Sequence, residues 1–325
     1  MRIQYIDNLK GFAILLVIIG HICLGSIWNS VIYSFHMALF FFLSGIVASC
    51  KGAFIDYLLK KIRTLLLPFI TFALLHALLG GTSLIDILCN NVKDGLWFIF
   101  TLFIIQIIDY LIFNIYVRRS KIRYFIISIS MFLALAIAKK YTLWDISSIL
   151  SLSYLAINYP FYLLGRFLQN NWCFCKENGT INNYFIQNAF HFRYEYAIQF
   201  VAVISYFIVW YFFFYYKIAD EFSNMYLRIT AIVSLVILFR HFEYSKYNKL
   251  FSFLGKETLA IYLLHYFFIR DFPKMLQFTI ILSPFIQLLL YSVLAIFIAF
   301  ISVLFAKILK SNKYLGFFLF GIKIK

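Results

Sequence analysis

The chain has 325 residues, of which 64% are hydrophobic, 22% aromatic and only 13% charged. An average soluble domain carries about 45–50% apolar and about 25% charged residues, so an ordinary water-soluble protein, a disordered chain and a nucleic-acid-binding domain are excluded. The net charge of +16 then reads as basic loops on one side of a membrane.

A bilayer core about 30 Å thick needs about 20 apolar residues at 1.5 Å rise each. That ruler predicts ten transmembrane helices, an all-α polytopic bundle. In chain order the first five are Lys10–Trp28, Val31–Cys50, Thr64–Gly81, Leu96–Tyr116 and Arg123–Ala138. The second five are Ile146–Leu168, Ala197–Tyr216, Tyr226–Arg240, Phe253–Ile269 and Phe278–Leu309. No cleavage pattern follows the first apolar stretch, which is expected to stay as a helix. The eighth and ninth spans are the shortest, and the sixth is diluted by Ser151, Ser153, Asn158 and Pro160.

Lysine and arginine collect in cytoplasmic loops. With the amino terminus inside, 22 of the 29 fall on the inner side and 7 on the outer. Both termini are therefore expected in the cytoplasm, in a multi-pass protein of the inner (cell) membrane. Residues 1–325 read as a single transmembrane domain, with 311–325 a short interfacial tail rich in Phe and Lys. The largest polar insert, about Gln169 to Tyr196, is cytoplasmic in this topology, so its sequon Asn178-Gly179-Thr180 is read as chance. The five cysteines (Cys23, Cys50, Cys89, Cys173, Cys175) form no disulfide framework or zinc-finger spacing.

Ionisable groups inside a bilayer mark function by default. His21, His36, His76 and His265 all fall within expected spans. A hairpin turn at Trp28-Asn29-Ser30 would put His21 and His36 at equal depth, roughly 11 Å below it. His76 and His265 lie about 12 residues from the inner ends of their spans, so all four could share one layer. Lys10 and His21 are 11 residues apart, within ~20° of a whole number of helical turns, and Asp7 precedes Lys10 by three residues on nearly the same face. A polar stripe would run from the basic rim to mid-membrane. For His76, in Ala73-Leu74-Leu75-His76-Ala77, a hydrogen bond to a neighbouring helix is the simpler role. Four histidines without carboxylates or single-helix spacing make a poor zinc site, and no metal is expected. Asp109, with Gln106 one turn earlier, is a buried polar pair that either meets a basic group or takes part in catalysis.

Several motifs carry a resemblance. Asp7-Asn8-Leu9-Lys10-Gly11-Phe12-Ala13-Ile14, the ten-residue gap to His21, Phe35-His36-Met37 and Phe41-Phe42-Leu43-Ser44-Gly45 resemble the acyltransferase 3 family. These are integral membrane acyltransferases, often O-acetylating cell-surface carbohydrate. Lys10 stands where the family more usually carries Arg. Lys60-Lys61-Ile62-Arg63 with Pro68-Phe69 resembles its basic pair, Leu96-Trp97-Phe98 its Trp-Phe motif, and Thr258 to His265 its late Tyr-Leu-Leu-His segment.

The resemblance implies an acyl donor, commonly acetyl-coenzyme A. Lys60, Lys61 and Arg63 would hold its phosphates by charge. The acceptor would be a carbohydrate hydroxyl on a polysaccharide, lipopolysaccharide or lipid-linked oligosaccharide, within membrane lipid. His21 is the expected general base or transient acyl carrier, with His36, Lys10 and Asp7 assisting. Tyr262 or His265 would donate to the oxyanion, and Trp97 would stack on a sugar face or anchor its helix at the interface. The alternative is a carrier of a lipid-linked sugar or small solute using the histidines as a proton relay, for which inverted repeats or paired broken helices would be the sign.

Overall fold

The computed structural model describes residues 3–23, 26–114, 121–141, 144–173, 195–215, 221–241, 248–270, 276, 279 and 281–324. The sequon and most of the polar insert lie outside the described residues. Those described are helical, with no strand among them. The helices are α1 (Gln4–Ile22), α2 (Ile27–Tyr33), α3 (His36–Ile46), α4 (Phe54–Lys61), α5 (Leu67–Gly80), α6 (Leu84–Cys89), α7 (Trp97–Ile112) and α8 (Lys121–Tyr141). They continue with α9 (Trp144–Ile149), α10 (Leu152–Cys173), α11 (Glu195–Tyr215), α12 (Glu221–His241), α13 (Asn248–Lys256), α14 (Thr258–Ile269), α15 (Pro284–Ser311) and α16 (Lys313–Phe320).

Seven of these segments are long and apolar enough to cross a membrane: Gln4–Ile22, Ile27–Ile46, Phe54–Gly80, Arg123–Tyr141, Tyr196–Phe214, Glu221–His241 and Pro284–Ser311. Helices α7 and α14 are apolar but shorter. The expected eighth span belongs to a helix of 21 residues, longer than its apolar stretch suggests, because Glu221 to Met225 continue it.

The first helix differs from expectation. It begins at Gln4, six residues before Lys10, so Asp7 and Asn8 are buried and Lys10 is half-buried inside the helix. The expected turn at Trp28-Asn29-Ser30 is instead helical, part of α2. Helix α1 ends at Ile22, and Ser26 caps α2 by accepting from the Trp28 N–H. An uninterrupted apolar run conceals such a break, since hydropathy alone does not register a cap.

The chain forms two compact units, each from two stretches: Met1–Leu43 with Leu168–Ala306, and Ser44–Phe167 with Lys307–Lys325. In the first, α1 and α13 cross at very short range. A Cβ on Gly11 would strike the Phe251 carbonyl, and one on Gly255 would strike the Asp7 carbonyl. Phe12, Phe239 and Phe251 pack around that crossing with ring centroids 5.2 to 6.0 Å apart. Backbone cannot retreat from backbone as a flexible side chain can. We therefore predict that Gly11→Val destabilises the unit by about 3 kcal/mol, the overpacking range. A monodisperse detergent-extracted variant with unchanged melting would refute that crossing.

In the second unit, α4 passes into α5 through a π-helical turn, Ile62–Leu66. Pro68 lacks an N–H and its ring crowds the carbonyl four residues back, that of Thr64. A widened turn relieves that clash, and such turns recur at functional sites. Helix α16 folds back onto this region: Thr71 Oγ1 donates to the Phe318 carbonyl (3.1 Å) and Phe72 meets Phe320 at 6.4 Å. The expected interfacial tail is thus a packed helix.

Candidate active site

Three of the four histidines expected within spans come together in the first unit. The rings of His21 on α1 and His265 on α14 lie 5.4 Å apart between centroids. Tyr33, on α2, links His21 to His36: its hydroxyl is 3.3 Å from His21 Nδ1, and its ring meets the His36 ring edge-on at 5.0 Å. Tyr266 stands edge-on to His21 at 6.0 Å, and Tyr262 lies 5.9 Å from His265. His36, Tyr262 and His265 are buried.

Two of the histidines have their proton positions dictated by the main chain. His36 Nδ1 is 2.7 Å from the Ile32 carbonyl, and His265 Nδ1 is 2.7 Å from the Tyr262 carbonyl and 3.1 Å from that of Ile261. A carbonyl oxygen only accepts, so both rings donate from Nδ1 and, when neutral, carry a lone pair at Nε2. His21 differs, since its Nδ1 faces a hydroxyl that can donate or accept.

Local sequence explains how Tyr33 reaches His21. Gly20 leaves the α1 surface bare there; a Cβ on it would sit 3.0 Å from the Tyr33 ring. Asn29 Nδ2 donates to the Gly20 carbonyl (2.9 Å), tying α2 back onto the end of α1. At the α2–α3 break, Ser34 Oγ and Tyr206 OH are 2.8 Å apart and both bond the Val31 carbonyl, at 2.7 and 3.1 Å. Trp28 Nε1 donates to the Pro284 carbonyl (2.7 Å), and Ser26 Oγ to Gln287 Oε1 (2.6 Å). These anchors fix α2 to α1, α11 and α15.

Lys10 shares α1 with His21, 11 residues earlier, or about 16 Å along the axis. Sequence reasoning did not single out Asn8. It is fully buried, and neither side-chain atom has a partner among the described residues. Its neighbours Asp7 and Lys10 drew attention by charge, whereas a neutral amide in an apolar run gives no comparable signal.

The remaining expected site residues belong to the second unit. Lys60 is exposed; Lys61 and Arg63 are half-buried, with Lys61 Nζ 5.1 Å from the Tyr57 ring centre. Trp97, at the start of α7, is half-buried and stacked on Tyr154 at 4.0 Å and 16°. One indole face is therefore already covered. His76, in the second unit, bonds Asp94 (Nδ1 to Oδ2, 2.7 Å), the neighbouring-element contact of its simpler reading. Asp94 sits in a turn, Lys93-Asp94-Gly95, whose three residues all have left-handed φ of 48°, 51° and 87°. The Lys93 ammonium holds that turn by donating to the carbonyls of Leu88, Asn90 and Ser148 at 2.7, 3.3 and 3.3 Å. Burial pulls its pKa down to about 8.

Asp109 meets a basic group, Arg166 of α10, Nε to Oδ2 at 2.9 Å, with both side chains almost fully buried. Tyr124 and Tyr162 donate to the same carboxylate at 2.6 and 2.9 Å, and the Cys50 thiol at 3.3 Å. Arg166 also donates to the Ala48 carbonyl (3.2 Å) and to Cys50 Sγ (3.0 Å). By sequence, Arg166 lies near the end of the sixth expected span and reads as one of the inner-side charges. In the structure it is a core residue that pins the segment between α3 and α4 to α7 and α10.

Among the described residues no three His, Cys, Asp or Glu side chains converge as a metal-binding group. No curated protein and no solved structure matches the chain. A family model described as an acyltransferase domain matches residues 3–304, so this all-helical, multi-pass membrane protein belongs to the acyltransferase 3 family.

Proposed function

We propose that the protein is a membrane O-acyltransferase, moving an acetyl group from acetyl-coenzyme A to a hydroxyl of a cell-surface or lipid-linked carbohydrate. The observation that carries this reading is the cluster of His21, Tyr33, His36 and His265 inside one unit of an acyltransferase-family chain. His21 removes the acceptor hydroxyl proton through Nε2 as that oxygen attacks the thioester carbonyl. The carbon–sulfur bond then breaks, and the departing thiolate recovers the proton from the His21 imidazolium. Tyr33 accepts from His21 Nδ1–H, orienting the ring as the third member of a catalytic triad does. Neutral His265, with its hydrogen on Nδ1, offers only a lone pair at Nε2, so the oxyanion donor of that pair is Tyr262. Lys60, Lys61 and Arg63 hold the donor's phosphates, Lys10 and Asp7 supply the charged approach on α1, and Trp97 offers its uncovered face to the sugar.

Two measurements test the reading. Purified full-length protein with acetyl-coenzyme A and membrane glycans is expected to release free thiol and acetylate the glycan, read by mass spectrometry. Failure to do so, together with solute flux in proteoliposomes, would favour a carrier instead. Tyr33→Phe keeps the ring and removes the hydroxyl. It is expected to lower kcat/KM about a hundredfold, at the low end of an acid–base contribution, with little change in KM; an unchanged rate would remove Tyr33 from the site.

A further inference from the structure

The basic segment of the second unit has a partner in the carboxy-terminal region. From Lys307 to Lys323 the chain carries four lysines and no Asp or Glu. Asn312 caps α16 by accepting from the Tyr314 and Leu315 N–H groups at 2.9 and 3.3 Å, and Lys310 Nζ sits 5.1 Å from the centre of the Phe320 ring. The next residue, Gly321, adopts φ +66° and lies so close to the Arg63 carbonyl that a Cβ there would collide with it. The lysines at the end of α15 and start of α16 are thereby tied to the π-helical turn that carries Arg63.

Arg63 itself points to a ligand. Its Nε is buried and has no hydrogen-bond partner among the described residues. A buried donor left unsatisfied costs about 1–3 kcal/mol, more for a charged group, and a guanidinium fork matches phosphate geometry.

We propose that the end of α15 and α16 form a second wall of the phosphate-binding rim, with Lys307, Lys310 and Lys313 gripping the phosphates of a coenzyme A thioester together with Lys60, Lys61 and Arg63. This rests on the donor reading above. Diffuse attraction to anionic lipid asks only for basic residues near the surface; a glycine-seated, capped helix packed on the turn that carries a buried, unpartnered Arg63 Nε favours a more specific anion. The wall also explains why a chain end is packed onto the π turn at all.

The test uses full-length protein in detergent and equilibrium dialysis with radiolabelled coenzyme A. The probes are coenzyme A, its analogue lacking the 3′-phosphate, and phosphatidylglycerol nanodiscs. The triple variant Lys307→Gln/Lys310→Gln/Lys313→Gln changes exposed or half-buried side chains, so folding should survive; size-exclusion profiles check it. Wild-type protein is expected to bind coenzyme A with an affinity that falls as salt rises, and the triple variant about tenfold more weakly. The analogue is expected to show a smaller difference between the two proteins. Wild-type affinity retained by the triple variant overturns the second wall and leaves the donor reading standing. No binding of coenzyme A by wild-type protein overturns both. A loss confined to phosphatidylglycerol assigns the lysines to lipid and overturns the proposal.

Discussion

His21→Ala is expected to abolish acyl transfer, lowering kcat/KM by at least about a thousandfold, within the span of general acid–base contributions. Melting temperature should change little. His21 sits near the end of α1, in a polar cluster rather than in the tight α1–α13 crossing, so its loss leaves that crossing intact. His21→Gln is the sharper variant: it preserves a hydrogen bond to Tyr33 while removing the basic lone pair. The two should be equally inactive. Full transfer by either variant, in folded and membrane-inserted protein, would sink the assignment of the base. Binding of coenzyme A should be unaffected in both, separating the chemical step from donor capture.

The second large effect concerns stability. Removing one partner of a buried ion pair leaves the other charge uncompensated, at a cost of about 3–5 kcal/mol. Arg166→Met and Asp109→Leu should each cost that much, seen as a steep fall in extractable, monodisperse protein and in melting temperature. The double variant should recover part of the loss, because no lone charge remains. Recovery is incomplete, since Tyr124, Tyr162 and the Ala48 carbonyl still lose their partners. The check is a double-mutant cycle. Additive single effects would mean the pair is not coupled, contrary to the 2.9 Å contact.

Much of the fold is legible in composition and hydropathy. Among the described residues each of the ten expected segments overlaps helix, because a bilayer tolerates only internally bonded backbone and the apolar runs are long enough to see. The breaks in the first two spans were hidden: α1 ends before Ser26, which caps α2, and the chain bends at Ser34, yet Ile27 to Ile46 is apolar enough to read as one rod. The argument for equal depth of His21 and His36 rested on a turn that is absent. The two residues nevertheless meet, by way of the Tyr33 side chain.

Among candidate site residues, the sequence singled out charged and imidazole side chains, with Trp97 and Tyr262 added through the resemblance. Tyr33 and Asn8 were overlooked because aromatic and amide side chains in a chain with 24 tyrosines carry no individual signal. Asn8 yields a modest test. If its unsatisfied amide serves no ligand, Asn8→Leu should raise stability by about 1 kcal/mol, since an apolar replacement removes a buried desolvation penalty; if it serves the reaction, the same variant should gain stability and lose activity. Melting and transfer rate measured together distinguish these.

By itself, the sequence determined that the chain is a helical membrane protein and that its histidines and lysines fall in or beside particular apolar segments, since both follow from local composition and helical rise. Only tertiary structure decided which of them act together. His265 joins His21 while His76 turns to Asp94, Arg166 becomes the partner of Asp109, and Gly321 packs against the Arg63 carbonyl. Each is a contact between residues at least 18 positions apart, and such pairings are set by how helices pack and where backbone may touch backbone, information that no local window of sequence contains.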